Sequence, residues 1–234
     1  MNDRDTGAKS QSTTRKSPFV FGVSGHRDAR AEDSAELENR IQIVFDRFRL
    51  AHPGASFELL SPLAEGADRI AAEVALRSGI RLVVPMPMAQ ADYERDFTTD
   101  ESLKEFRRLL AAADSQFEVS PEEWSQGSQA ATNPRASKYA IVGDYIARRS
   151  HVLILLWDGQ DNEKMGGTAW VKKRREHWIS LAKTGGSAPP IFGYVGTIHI
   201  VTPRVANSHR YPTIEIIGDL PPVAGTQADE RSKL

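Results

Sequence analysis

Four short clusters in this 234-residue sequence could do ligand chemistry, and three of them carry glycines in settings that suit close approach or phosphate. The first is Val23-Ser24-Gly25-His26-Arg27-Asp28. Gly25 lets the backbone turn sharply and come close to a ligand. The Ser24 hydroxyl is a donor, and Arg27 carries a planar fork matched to phosphate oxygens. His26 offers a donor, a stacking surface or an acid/base. The same residues also describe a plain tight turn with a solvated arginine. In the second cluster, Glu65 and Asp68 flank Gly66 at an expected helix start. A carboxylate there complements the helix dipole. The functional alternative is that Gly66 admits a ligand while a carboxylate holds a ribose hydroxyl or the Arg27 guanidinium. The third is Pro85-Met86-Pro87-Met88, with Tyr93 shortly after it. Its prolines stiffen the exit of a strand, and Met86 and Tyr93 would either flank a base or close over the core. The fourth is Trp157-Asp158-Gly159 followed by Gly166-Gly167-Thr168. A paired glycine before a helix can cradle phosphate with backbone N–H groups, and Thr168 adds a hydroxyl.

Several other chemistries are excluded or disfavoured. The chain has no cysteine, which removes disulfides, thiolate catalysis and cysteine-bound zinc. His52, His199 and His209 stand apart without metal-ligand spacing, so neither a metal nor a cofactor is expected. His177 and Trp178 read as packing or surface residues of a helix. The run Lys172-Lys173-Arg174-Arg175 reads as a solvated helix face. With 30 basic and 31 acidic residues the formal charge is −1, which disfavours nucleic acid as a partner. No Walker loop, nucleophile elbow or His-Glu-x-x-His pattern occurs. The first residues lack a signal-peptide core, and no apolar run approaches the roughly 20 residues that span a bilayer. A cytoplasmic protein without a membrane span is expected.

The elements that must position these clusters alternate regularly. Strands are expected at 19–24, 57–60, 80–85, 116–119, 151–157, 194–201 and 213–217. Helices are expected at 36–50, 67–77, 103–113, 139–149 and 168–183, from apolar residues at helical intervals. The stretch 121–136, rich in Ser, Gln, Asn, Gly and Pro, reads as a surface loop or mobile lid. The near-continuous apolar run at 151–157 fits a central strand covered on both faces. This predicts an α/β protein with a doubly wound, mostly parallel Rossmann-like sheet and helices on both faces. The 40% hydrophobic content supports one sizeable core, placed at 18–220. Residues 1–17 read as a disordered tail, and 221–234 as a second tail or a truncated linker. In such sheets ligands sit beyond the carboxyl ends of the strands, where all four clusters fall.

In order and spacing the clusters resemble the SLOG superfamily. That group unites the Lonely-guy phosphoribohydrolases, the DNA-processing protein A domain, nucleotide-sensing modules of bacterial defence systems and the N-terminal domain of melastatin channels. The matching pieces are GVSGHRD (22–28), SPLAEGADRIAAEVAL (61–76), VVPMP (83–87), VLILLWDG with GGTAWV (152–171) and HIVTPR (199–204). The resemblance implies a nucleotide or NAD/ADP-ribose-derived ligand, held by Ser24, Gly25, His26, Arg27, Glu65, Gly66, Asp68, Met86, Asp158, Gly166, Gly167 and Thr168. It also implies sensing in a defence or signalling system, homo-oligomerisation and an effector domain or protein as partner. The phosphoribohydrolases look like Pro-Gly-Gly-x-Gly-Thr-x-x-Glu, whose Glu assists cleavage of the N-glycosidic bond. Val171 stands three residues after Thr168, where that Glu is expected. Cleavage needs a carboxylate near the developing charge. Its loss favours binding over turnover; if the chain is a hydrolase, Glu65 is the candidate substitute, with Glu176 the other carboxylate weighed, and nothing in the sequence places either.

Overall fold

A computed structural model describes residues 17–120, 133–161, 164–185, 195–205 and 214–222. Seven strands form one sheet: β1 (Phe19–Gly25), β2 (Phe57–Leu60), β3 (Arg81–Met86), β4 (Ser115–Glu118), β5 (Val152–Trp157), β6 (Gly196–Val201) and β7 (Ile216–Ile217). Their order is β4-β3-β2-β1-β5-β6-β7. All neighbours run parallel except β7, which lies antiparallel to β6. The helices are α1 (Ser34–Ala51), α2 (Ala67–Arg77), α3 (Gln90–Tyr93), α4 (Asp100–Ala111), α5 (Pro134–Arg149) and α6 (Thr168–Lys183).

The side-chain alternation of the strands sorts the helices onto two faces. Phe21, Val23, Ile154 and Leu156 pack with apolar residues of α1, α2 and α4, among them Ile41, Phe45, Val74 and Phe106. The opposite face sets Val20, Leu153 and Leu155 against Val142 and Ile146 of α5 and Ala169 and Val171 of α6. Every residue of β5 is buried, as its apolar run requires. The expected doubly wound sheet is the observed one.

This order places a topological switch between β1 and β5. The chain steps outward from β1 to β4, then α5 carries it back to β5 on the other side of β1. Connections leave the two central strands in opposite directions, opening a crevice at their carboxyl ends.

Some boundaries differ from expectation. Helix α5 starts at Pro134, five residues earlier than its apolar periodicity suggests. The Asn133 side-chain oxygen accepts the Arg135 N–H at 2.9 Å, and proline occupies the first position. Residues 133–136 are therefore helix cap and first turn; the rest of the expected lid, 121–132, lies outside the described residues. So do residues 1–16 and 223–234 of the expected tails. The last strand shrinks to Ile216–Ile217, and α3 is a short addition that apolar spacing does not signal. Among the described residues no helix is long and apolar enough to cross a membrane.

The basic run of α6 is a correction. Lys172 and Lys173 pair near the surface with Glu176 and Asp161. Arg175 points inward and is fully buried. Its terminal nitrogens donate to the carbonyls of Ala147 (2.9 Å), Ser150 (2.6 Å), His151 (2.6 Å) and Gly196 (3.1 Å). The end of α5 and the starts of β5 and β6 leave these acceptors facing the interior, and one planar cation collects them.

Candidate functional site

The crevice between β1 and β5 is a cleft of about 440 Å³, within the range of small-molecule sites. Strand β1 delivers Ser24 and Gly25 to its floor. The first turn of α2 brings Asp68, and the turn before α6 brings Gly166, Gly167 and Thr168. His26 and Arg27 complete the near wall, with α5 opposite.

Local geometry explains why these residue types stand here. A Cβ on Gly25 would lie 2.4 Å from the Ala67 Cβ and 2.8 Å from the Leu156 carbonyl oxygen. Only glycine lets α2 and β5 close on the first loop. Gly66 has φ +77°, and a Cβ there would meet the His26 and Arg27 carbonyl oxygens at 2.5 Å. The expected close approach at Gly66 is thus real, but what it admits is the backbone of the first loop, not the cleft. Between them Leu63 holds φ +57°. Its N–H donates to the Ser61 hydroxyl, and its carbonyl accepts from Arg69.

His26 ties the two central strands together. The Asp158 backbone N–H donates to His26 Nε2 at 2.9 Å, and Asp158 Oδ1 lies 3.0 Å from the same nitrogen. Burial is the largest influence on this ring and lowers its pKa, outweighing the nearby Asp158 carboxylate. The ring is therefore held neutral with Nε2 as acceptor, which makes it a clasp between loops. Asp158 also accepts the Gln160 N–H at 3.0 Å. It supports the cleft from behind and does not line it.

Asp68 is the unusual group. It is only 4% exposed yet borders the cleft. Its Oδ1 is buried and has no hydrogen-bond partner among the described residues. Burial pushes its pKa up to about 7 against the opposing pull of Arg27, the Gly25 and Ala64 backbone amides and Arg69. Arg27 itself is exposed, and its guanidinium lies 5.1 Å from the centre of the Tyr139 ring. The Ser24 hydroxyl reaches Thr168 Oγ1 at 3.5 Å, so the first and fourth clusters meet. Gly166 to Ala169, the turn before α6 and its first residues, line the cleft, and the first N–H groups of a helix have no partners inside it.

Eight of the twelve sequence-selected residues thus surround one space: Ser24, Gly25, His26, Arg27, Asp68, Gly166, Gly167 and Thr168. Four do not. Gly66 and Asp158 stand behind the wall as described. Met86 is buried in the core as the last residue of β3, because the side chain of a covered strand turns inward. Glu65 faces a shallow surface groove and accepts from the Ser102 hydroxyl, so no substitute carboxylate for hydrolysis comes from it. Val171 lies under the cleft, 2% exposed.

Sequence reasoning missed the contribution of α5. Arg135 reaches the cleft while bonding Asp96 Oδ1 (3.0 Å) and the Asp92 carbonyl (3.0 Å). Tyr139 carries Arg27, and Tyr93 donates to the Pro62 carbonyl at 3.0 Å. The Asn133-Pro134 pair was the available signal, since it marks a helix start directed at the site.

No protein-family model matches the chain, and no curated protein matches it. Two solved structures are similar in fold. The X-ray structure of DNA processing protein A from Streptococcus pneumoniae shares 17% identity at a TM-score of 0.44, covering 68% of this chain and 47% of that one. The chain therefore spans about half the length of that protein. DNA processing protein A from Helicobacter pylori shares 16% identity at a TM-score of 0.41, covering 72% of this chain and 73% of that one. Both carry the name of one member of the superfamily that the four clusters resemble. The expectation that disfavours nucleic acid as a partner is corrected here. The Helicobacter protein is described by its unique single-stranded DNA binding mode, and a near-zero net charge does not describe any local surface.

Proposed function

We propose that this domain binds a nucleotide or nucleotide-derived molecule in the β1/β5 cleft and acts as a ligand sensor. The observation that carries the reading is convergence. A glycine turn at a helix N-terminus, the exposed cation Arg27 and the carboxylate of Asp68 face one crevice of about 440 Å³ at the switch point. The turn before α6 suits phosphate, Arg27 adds a planar fork, and a carboxylate suits hydroxyl groups.

Calorimetry of the purified chain against nucleoside monophosphates, cyclic dinucleotides, ADP-ribose and a single-stranded oligonucleotide tests this. Saturable one-site binding of a small nucleotide is expected. Folded protein that binds none of them, or that binds the oligonucleotide in clear preference, overturns the small-ligand reading.

A hydrolytic reading has one observation in its favour: the cleft holds a buried carboxyl group with a pKa of about 7, poised for acid/base work. Release of free base from nucleoside monophosphates, sustained over many turnovers and lost in Asp68→Asn, would reverse the order of the two readings.

A further inference from the structure

We infer that Tyr139 is a positioning residue for the ligand: its ring holds the Arg27 guanidinium on the cleft side of the first loop, where a nucleotide phosphate meets it. This rests on the nucleotide reading of the cleft and adds the residue through which Arg27 is made effective.

Arg27 belongs to two surfaces. It lines the β1/β5 cleft, and it also borders the shallow groove where Glu65, Glu101 and Glu105 stand. An exposed arginine has many rotamers, and the carboxylates of that groove are its ordinary ion-pair partners. Among the described residues, however, no hydrogen bond or ion pair holds Arg27 there. Its guanidinium lies against Tyr139 instead, 5.1 Å from the ring centre and within reach of a cation–π contact.

Tyr139 is itself well anchored. It stands in the second turn of α5, a helix started by the Asn133 cap and Pro134. Gly166 has φ +76°, and a Cβ on it would lie 3.0 Å from both the Tyr139 Cβ and the Ala140 amide nitrogen. The turn before α6 therefore closes directly on the Tyr139 backbone. The ring meets that of the fully buried Tyr93 edge-on, with centroids 6.1 Å apart. The Tyr139 hydroxyl has no hydrogen-bond partner among the described residues, so the ring and not the oxygen is what the site uses. One residue thus touches the Gly166-Gly167 turn with its backbone and Arg27 with its ring. It sets the spacing between the two groups that suit phosphate. A guanidinium fits this role better than an ammonium, since its plane packs on the ring while its edge still presents N–H donors. A side chain ordered before binding loses less freedom on binding, so the effect of the ring is read as affinity.

The test is a double-mutant cycle on Tyr139 and Arg27, read by calorimetry with nucleoside monophosphates, cyclic dinucleotides and ADP-ribose. Tyr139→Leu is expected to lose about fivefold in affinity when Arg27 is present. Where Arg27 is already alanine, the same change should cost less than about 1.5-fold. Tyr139→Phe keeps the ring and should bind within about 1.5-fold of wild type. Tyr139→Met, flexible and of similar bulk, is the second variant should Tyr139→Leu fail to fold. An equal loss in both Arg27 backgrounds makes Tyr139 a plain wall of the cleft; it overturns the inference and leaves the nucleotide reading standing. So does wild-type affinity in folded Tyr139→Leu, or a loss in Tyr139→Phe as large as in Tyr139→Leu. Folded wild-type protein that binds none of these ligands overturns both.

Discussion

Arg175 and Asp68 are both charged and buried, and they sit at opposite ends of the same parallel sheet. At the amino ends of β5 and β6, Arg175 is surrounded by carbonyl oxygens that accept from both its terminal nitrogens. At the carboxyl ends, Asp68 keeps one oxygen without a partner beside an open cleft. A buried charge whose terminal nitrogens bond four carbonyls ties the elements that carry them together. A buried carboxyl group left open costs stability, and protonation relieves part of that cost. The amino end of the sheet is thus tied by a buried cation, while the carboxyl end borders the cleft.

The sharpest way to break this contrast is Arg175→Met. Four carbonyl groups would lose the guanidinium, although that of His151 keeps the Val195 N–H, and unfolding in denaturant should show a loss of about 3–5 kcal/mol. A loss below about 1 kcal/mol would mean that the carbonyls find water and that the lower end is no lock.

Asp68→Asn should act in the opposite direction. The carboxyl group titrates near its ordinary 3.8 when unfolded and near 7 when folded. Between these values the folded chain holds a proton that the unfolded chain has lost, so wild-type stability falls as pH rises from about 4 to 7. Asparagine removes this term. The variant should be more stable than wild type at pH 8, by up to about 4 kcal/mol, and equal to it near pH 4. A variant less stable at pH 8 would show that Asp68 is satisfied in the free protein.

The smallest effect on stability belongs to Arg27→Ala. Exposed and lying against the Tyr139 ring, this side chain should change stability by no more than about 0.5 kcal/mol. Nucleotide affinity should nevertheless fall about tenfold by calorimetry, since a charge-assisted phosphate contact is worth about 1.5 kcal/mol or more. An equal loss in stability and affinity would place Arg27 with the supporting residues.

Much of this architecture was legible from residue order. The apolar strands and amphipathic helices alternate, and that alternation predicts the mostly parallel sheet observed. The glycine-rich clusters were legible for the same reason: close backbone approach demands glycine, as at Gly25 and Gly66. Side-chain direction was less legible. Glu65 and Asp68 are three residues apart in one motif, yet the end of the loop turns one toward a surface groove and the other into the cleft. Arg175 looks like its three basic neighbours in sequence, and only the phase of α6 buries it. Of the two readings of Met86, the core one matches its place, because a strand's last residue still obeys the inward alternation of a covered sheet. The α5 contribution came from a cap whose partners are distant in sequence.

The contact at Gly66 has a mechanical meaning. Because the first loop and α2 touch backbone to backbone there, with the Ala67 N–H also bonded to the His26 carbonyl at 3.0 Å, they form a single stiff piece. That piece is further anchored to β5 through His26. A ligand gripping it has nothing soft to deform on that side. The turn before α6 meets it through the 3.5 Å approach of two hydroxyls, a weaker joint. Give in the walls of the cleft is therefore expected on the α6 side and not at the first loop.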